Sequence, residues 1–308
     1  MEKQAECRKK ICEASGLLLE LVNEVLDMGK LESGEIVLES RSFQIIDLAE
    51  EIQQVLEKTA AERGIQLIRK DWIVPHPYLI GSPLLLPANR PAGGRFRFEG
   101  RLWRLPVNEP KSGSHVHGLL HTAAFSAAER SDASVRLIYE NHGEIYPFPF
   151  RMEVVYELSE SGLAARNALT NLSDGAMPYS FGLHTTFVEP ARFSVPLGMQ
   201  QERDDKNLPT GRYLPLNETE EAYARGADSR GRVVSGYYTA AGDTARIGEY
   251  RYRAEGFDHW ILYNARGKGG VLCVEPQRGC VDALNRPDCP VLAGHETAHF
   301  GTDLSRAE

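Results

Sequence analysis

The stretch FDHWILYNARGKGGVLCVEPQ, Phe257 to Gln277, contains two apolar runs on either side of a glycine-rich segment. Runs rich in β-branched and aromatic residues around a Gly267–Gly270 turn are typical of a β-hairpin. Glu275 lies near the end of the second run, directly before Pro276. A carboxylate on a buried strand is costly unless it is paired, protonated or functional, and burial raises its pKa toward the range of a general base. The hairpin therefore predicts both a β-fold and a candidate catalytic carboxyl.

Two further hairpins extend this pattern toward the N-terminus. RFRFEGRLWRL, residues 95–105, has two strand-like runs about a tight Glu99-Gly100 turn. RMEVVYELSESGLAARNALTNLSDG, residues 151–175, has two longer runs about a loop that contains glycine. Short strands between Gly- and Pro-rich turns predict a β-sandwich or a β-barrel for the chain from Pro75 onward.

The first 70 residues have a different composition, since all 17 prolines lie at Pro75 or later. Apolar residues there recur every seven positions, as at Ile11, Leu18 and Val25. Such a heptad seam is suited to a helical hairpin or to a homodimer through this N-terminal helix. The change in composition predicts two domains, a helical segment over residues 1–70 and a β-domain over residues 71–308.

The amino-acid sequence of the N-terminal segment resembles that of one protein family. LLLELVNEVLDMGKLESGEIVLE, residues 17–39, and FQIIDLAEEI, residues 43–52, resemble the second dimerisation helix of sensor histidine kinases and its link to the ATPase domain. The resemblance spans residues 5–70. The family's phosphoacceptor histidine and its ATP-binding motifs do not accompany the segment, and the chain has no GxGxxG stretch. We interpret the segment as a helix pair that packs or dimerises, rather than as a kinase.

Charge and composition limit the partners and the location. The formal net charge of −8 gives no basic surface for nucleic acid and no polybasic membrane anchor. No apolar run reaches the length of a membrane span, and the first residues lack the pattern of a signal peptide. Five cysteines without a CxxC pair are typical of reduced thiols. We expect a cytoplasmic protein with neither a nucleic-acid nor a membrane partner.

Two histidine motifs suggest metal sites, and each has a competing interpretation. HETAH, His295 to His299, matches the zinc-protease pattern HExxH, which requires a helix; the following TAHFGTDL favours a final strand instead. HVHGLLH places His115 and His117 two residues apart, so on a strand both would face one side and could bind a metal as in cupin barrels. That site lacks a nearby glutamate on a clear strand.

Longer stretches resemble the aldose 1-epimerases, also called galactose mutarotases. The resemblance covers residues 77–304 and includes PYLIGSPLLLPANRPAGG, HVHGLLH, NLSDGAMPYSFGLHTTF, GFDHWILYN and VLCVEPQ. Five landmarks follow the family's order, and they are Asn89-Arg90, His117-Gly118, the GxH motif that ends at His184, Asp258-His259 and Glu275-Pro276. The resemblance implies a mainly β fold, a large antiparallel β-sandwich with the sugar in a cleft on one sheet, here preceded by a helical segment.

The resemblance also implies a role for each landmark residue. Glu275 would be the general base at the anomeric O1, and His184 the general acid at the ring O5. His117 would hydrogen-bond the sugar and polarise the ring oxygen, while Arg90 and Asp258 would bind hydroxyls. Interconversion of the α and β anomers of a free hexose needs one base and one acid, and it requires no metal and no organic cofactor.

Two departures from the family pattern leave alternatives open. Pro91 follows the arginine where the family usually has isoleucine, and the kinase-like segment replaces the family's opening strands, with the join between Ile68 and Pro77. The chain is therefore interpreted as a fusion of two truncated genes or as an artefact of sequence assembly. The main alternative to an active epimerase is a catalytically impaired carbohydrate-binding module. A cupin-like metalloprotein is the other.

Overall fold

A computed structural model describes residues 78–79, 81–267 and 270–307 of the chain. The chain divides into two units, Met1–Lys70 and Asp71–Glu308, and every described residue belongs to the second. The predicted heptad helix, the homodimer formed through it and the kinase-like segment lie outside the described residues and stay predictions.

The described residues form twenty strands, one α-helix and four short 3₁₀ turns. The strands are β1 (Leu84–Leu85), β2 (Arg95–Phe98), β3 (Arg101–Arg104), β4 (Ser126–Arg130), β5 (Ser134–Asn141), β6 (Phe150–Ser159), β7 (Gly162–Asn171), β8 (Met177–Pro178), β9 (Phe181–Leu183), β10 (Thr186–Val188), β11 (Phe193–Ser194), β12 (Leu197–Arg203), β13 (Pro209–Leu214), β14 (Ser235–Ala240), β15 (Thr244–Ile247), β16 (Tyr250–Glu255), β17 (His259–Tyr263), β18 (Val271–Arg278), β19 (Val291–Leu292) and β20 (Thr297–Arg306). The helix is α1 (Glu218–Arg225), and the turns are Ala92–Gly94, Leu120–Thr122, Ala265–Gly267 and Ala283–Asn285.

Two eight-stranded sheets make up most of the fold. The first has the order β1-β9-β18-β17-β14-β12-β13, with β10 paired to the other half of β18. The second has the order β11-β15-β16-β20-β7-β6-β5-β4. Neighbouring strands in both sheets run antiparallel. The predicted mainly β, antiparallel sandwich is confirmed, and the barrel alternative is wrong.

The hydrophobic core joins residues of the two sheets. At one end Trp260 and Val274 of the first sheet belong to the same buried cluster as Tyr252 of the second. At the other end the ring of Phe181 lies 4.7 Å from that of Phe300, measured between centroids. Because side chains alternate along a strand, the residues between these core positions face the opposite surface of the sheet.

The three hairpins predicted from the sequence are confirmed as β2–β3, β6–β7 and β17–β18. In the first, Glu99 and Gly100 both adopt positive φ, at 49° and 78°. Two consecutive left-handed residues are the geometry of a type I′ turn, which matches the twist of the flanking strands.

The sheet edges of the described residues are short or carry groups that oppose further pairing. The edge strands β1 and β11 are each two residues long. Every residue of β4 is exposed, Glu129 and Arg130 included, and β13 begins at Pro209. Such features are known to discourage edge-to-edge association. Within the described ranges, the edge strands of the sandwich therefore offer no long apolar edge.

The helix α1 begins at a complete capping box. The Asn217 side chain accepts the backbone N–H of Glu220, and the Glu220 carboxylate accepts the backbone N–H of Asn217. This exchange satisfies two of the N–H groups that a helix start leaves without partners. No helix in the described part of the chain is both long enough and apolar enough to cross a membrane.

Candidate active site

Glu275 lies on the face of the first sheet that points away from the core. In the β17–β18 pairing Ile261 is opposite Glu275 and Tyr263 is opposite Cys273. Leu272 and Val274, the alternate residues of β18, belong to the core. A cleft of about 750 Å³ opens on the outer face and is lined by Glu275, Ile261 and Tyr263, among others. The alternation in VLCVE thus places the carboxyl in a cavity instead of in the core.

His184 reaches the same cleft from the strand on the other side of β18. It follows directly after β9, and its backbone N–H donates to the Pro83 carbonyl at 2.9 Å. Its Nε2 lies 3.3 Å from Oε1 of Glu275, and the two side chains are only 5% and 3% exposed. The structure therefore brings together the predicted acid and the predicted base.

Burial shifts the two groups in opposite directions. It raises the pKa of Glu275 to about 8, against the opposing charge of Arg90. Burial also lowers the pKa of His184 to about 4. At neutral pH the pair therefore holds one proton, and that proton rests mainly on the carboxyl. The separation of 3.3 Å makes His184 Nε2 and Glu275 Oε1 direct neighbours in the cleft.

His117 enters the cleft from a tight turn. Its backbone has φ of 64°, and its N–H donates to the Asn89 carbonyl at 2.6 Å. Gly118 follows at φ of 66°, where an added Cβ would lie 1.9 Å from the Leu86 carbonyl oxygen. Only glycine fits that contact, which explains why a glycine follows His117. The His117 ring lies 5.1 Å from that of His184, and burial, followed by the nearby His184 and Arg90, lowers its pKa well below the ordinary value.

Neither predicted histidine metal motif has the required geometry. Residues 115–118 do not form a strand, so the cupin-type arrangement is wrong: His115 Nδ1 contacts the Pro106 carbonyl at 2.6 Å, while His117 lines the cleft. The HETAH motif is not helical, because His299 lies in β20 and His295 is an exposed residue at φ of 62°. The expectation of a final strand in place of a zinc-binding helix is confirmed.

Another group of potential metal ligands includes the pair of Glu275 and His184. The ligand atoms of His184, Cys273 and Glu275 are all within 4.8 Å of one another. Burial raises the pKa of the Cys273 thiol far above its ordinary value, as it raises the pKa of the carboxyl. A cation would have to displace a proton from both groups. The donor chemistry of this cluster therefore favours proton exchange over metal binding.

Arg90 projects into the cleft and is held by one ion pair. Its Nη1 lies 2.7 Å from Oε2 of Glu109, and its side chain is 16% exposed. Pro91, the departure from the family pattern, precedes the 3₁₀ turn Ala92–Gly94 with φ of −53°. That value is one that proline adopts without strain. The departure is thus accommodated without moving Arg90 away from the cleft.

A profile of the aldose 1-epimerase family matches residues 65–304. The chain belongs to the aldose 1-epimerase family.

Individual relatives match parts of this epimerase-family chain. The Escherichia coli protein YihR is 32% identical over 141 residues, which are 42% of the chain and 45% of YihR. The matched segment thus spans less than half of that relative. The crystal structure of a galactose mutarotase-like protein from Clostridium acetobutylicum superposes with a TM-score of 0.71 at 20% identity, over 78% of this chain and 83% of that one. That likeness concerns the fold alone.

A second kind of relative is a histidine-protein kinase. The signal transduction histidine-protein kinase BarA of Escherichia coli is 38% identical over 72 residues, which are 22% of this chain and 8% of BarA. The length of that match fits the kinase-like segment recognised in the sequence. The epimerase-family chain thus resembles two unrelated families over different lengths.

Asp258, the remaining predicted sugar ligand, does not line the cleft of this epimerase-family chain. Its carboxylate accepts from His259 Nδ1 at 2.7 Å, from the Gly279 backbone N–H at 2.8 Å and from Arg278 Nη1 at 2.9 Å. Burial acts to raise its pKa, but these hydrogen bonds and the Arg278 charge outweigh burial and lower it. The geometry assigns Asp258 to tying the end of β18 to the start of β17. A direct sugar contact stays a prediction.

Several cleft residues of this epimerase-family chain were not found by reading the sequence. They are Tyr78, Arg203, Ser235, Tyr237 and Tyr263. The hairpin signal could have found Tyr263, since it shares a face with Glu275 in the β17–β18 register. No local pattern marks Arg203, because β12 reaches the site only through the strand order β18-β17-β14-β12.

Proposed function

We propose that this chain is an active aldose 1-epimerase, which interconverts the α and β anomers of a free hexose. The observation that carries the proposal is the buried pair of Glu275 and His184, 3.3 Å apart in a cleft of the first sheet. Ring opening requires a base and an acid near one another in a shielded site, and this pair supplies both.

The proposed reaction proceeds through the minor form of the pair, in which its single proton has moved from Glu275 to His184. The Glu275 carboxylate takes the proton from the anomeric hydroxyl, and a C1=O1 double bond forms as the C1–O5 bond breaks. O5 receives the proton from the His184 imidazolium. Rotation about C1–C2 presents the other face of the aldehyde, and closure reverses the two transfers. The Glu275 pKa of about 8 gives the carboxylate the basicity that abstraction of this proton requires.

The remaining landmark residues orient the sugar in this proposal. Arg90 is fixed by Glu109 and can donate to a hydroxyl of the ring. His117 is held neutral by burial and lies beside His184, where it can donate to the sugar near O5. These contacts restrict the sugar to a pose in which C1 faces the acid–base pair. The reaction uses no group other than these side chains.

The test is anomer equilibration of freshly dissolved α-D-galactose and α-D-glucose, followed by polarimetry. Wild type should accelerate equilibration, and Glu275→Gln should abolish the acceleration, because glutamine cannot take the O1 proton. Glu160→Gln, at an exposed turn outside the cleft, serves as the matched control and should retain full activity.

The same variant distinguishes an enzyme from a sugar-binding module. Sugar binding to Glu275→Gln, measured by calorimetry, should be retained while turnover is lost. Sugar binding by wild type without acceleration of any free aldose, neutral or charged, would refute the proposal and favour the module.

A further inference from the structure

The cleft carries more positive charge than the proposed reaction requires. Among the described residues, its lining includes Arg90, Arg203 and Arg266 but only two acidic residues, Glu109 and Glu275. Glu109 is paired with Arg90, and burial keeps Glu275 largely protonated at neutral pH. The chain as a whole is acidic, with a formal net charge of −8. The cationic character of this cleft is therefore a local feature, opposite in sign to the charge of the whole chain.

Arg203 is the best-positioned of these charges. It ends β12, and its guanidinium donates from Nη1 to Ser235 Oγ at 3.0 Å and from Nη2 to the Ser235 carbonyl at 2.8 Å. Its guanidinium carbon also lies 5.1 Å from the centre of the Tyr237 ring. Both hydrogen-bond acceptors on Ser235 are neutral. Within the part of the chain that the structure describes, no carboxylate comes within ion-pair distance of Arg203.

A half-buried guanidinium fixed by neutral acceptors keeps its charge uncompensated. Arginine presents a rigid planar fork that matches the oxygens of a carboxylate or phosphate group, and such hydrogen bonds are stronger than those to neutral hydroxyls. A neutral hexose would leave the Arg203 charge without a counter-ion in the cleft. An anionic group on the sugar would be that counter-ion.

The distance from the acid–base pair indicates where the anion would be. Ser235 on β14 is separated from the Glu275 strand by β17 alone, so the two strands are on the order of 10 Å apart. Carbon 6 lies outside the ring on C5 and farther from C1 than any ring atom, so with C1 beside Glu275 and His184 we place the group on carbon 6 toward Arg203. The exposed Arg266, in the turn after β17, lines the same cleft.

We propose that the cleft selects an aldose with an anionic oxygen group at carbon 6, such as a carboxylate, a sulfonate or a phosphate, and that Arg203 binds that group. The inference rests on the proposed epimerase function and specifies its substrate class. Arg203 is a specificity residue in this assignment and takes no part in the proton transfers.

The experiment compares four sugars by NMR exchange spectroscopy between their anomers: glucose, glucuronate, 6-deoxy-6-sulfoglucose and glucose 6-phosphate. Wild type is measured beside Arg203→Gln and Arg203→Lys. The matched charge control is Arg251→Gln, an exposed arginine of β16 in the opposite sheet. Circular dichroism spectra compare the folding of each variant with that of wild type.

We expect kcat/KM for at least one anionic sugar to exceed that for glucose. Arg203→Gln should lower kcat/KM for that anion by about 10- to 100-fold, as loss of a charged hydrogen bond predicts, and should change it little for glucose. Arg203→Lys should retain part of the preference, Arg251→Gln all of it, and added salt should weaken it. The three anions separate a carboxylate site from a sulfonate or phosphate site.

Two results would overturn the inference while leaving the epimerase proposal intact. One is acceleration of glucose that equals or exceeds that of all three anions. The other is an equal loss for all four sugars in Arg203→Gln, which would indicate a structural role for the arginine. Acceleration of neither these four sugars nor galactose by a folded wild type would instead refute the proposed function itself.

Discussion

Replacing Glu275 by glutamine should change the pH dependence of stability in a way that does not depend on substrate. Burial raises the pKa of the carboxyl from its ordinary value of 4.5 to about 8. Between these two values the unfolded chain has lost the proton that the folded chain still binds, so folding becomes less favourable as pH rises. The full shift corresponds to about 5 kcal/mol, at about 1.4 kcal/mol per pH unit.

The measurement is urea denaturation of wild type and Glu275→Gln between pH 5 and pH 9.5, followed by the fluorescence of tryptophans that include the buried Trp260. The quantity of interest is the free energy of unfolding of wild type minus that of the variant. Its value should fall by about 1.4 kcal/mol per unit from pH 5 to about pH 8 and level off above it. Groups common to both proteins largely cancel in this difference.

The exposed Glu160→Gln provides the control, since its stability difference from wild type should not follow that slope. A difference between wild type and Glu275→Gln that stays constant over this pH range would refute the argument. It would mean that the carboxyl ionises in the folded protein near its ordinary pKa, and that burial does not prepare Glu275 as a base.

Three further results are expected. The profile of kcat/KM against pH should form a plateau between about pH 4 and about pH 8, where the pair of His184 and Glu275 holds one proton, and a rise that continues well above pH 8 would contradict this. Gly118→Ala should lower the free energy of unfolding, measured in urea, by roughly 1–3 kcal/mol or more, because the backbone there is left-handed and the added Cβ would clash with the Leu86 carbonyl oxygen. An unchanged free energy of unfolding would show that the turn can shift. Asp258→Asn should reduce thermal stability and leave KM nearly unchanged, whereas a large rise in KM alone would support the sugar contact.

The sequence by itself determined the hairpins and the polarity of their faces. The alternation in VLCVE separates Glu275 from the core residues of β18, and the Glu99-Gly100 turn specifies β2–β3, because both depend only on neighbouring residues. The family motifs further indicated Arg90, His117, His184 and Glu275, all of which line the cleft.

Tertiary structure alone decided the rest of the site. The 3.3 Å contact between His184 and Glu275 depends on the pairing of β9 with β18, which joins distant parts of the chain. The place of Arg203 in the cleft follows from strand order. Asp258 lies outside the cleft lining, where its carboxylate accepts hydrogen bonds from Arg278 and Gly279. Local propensity specifies which way a side chain points from its strand. Which strands become neighbours depends on burying both sheets against each other, and a sequence motif does not encode that arrangement.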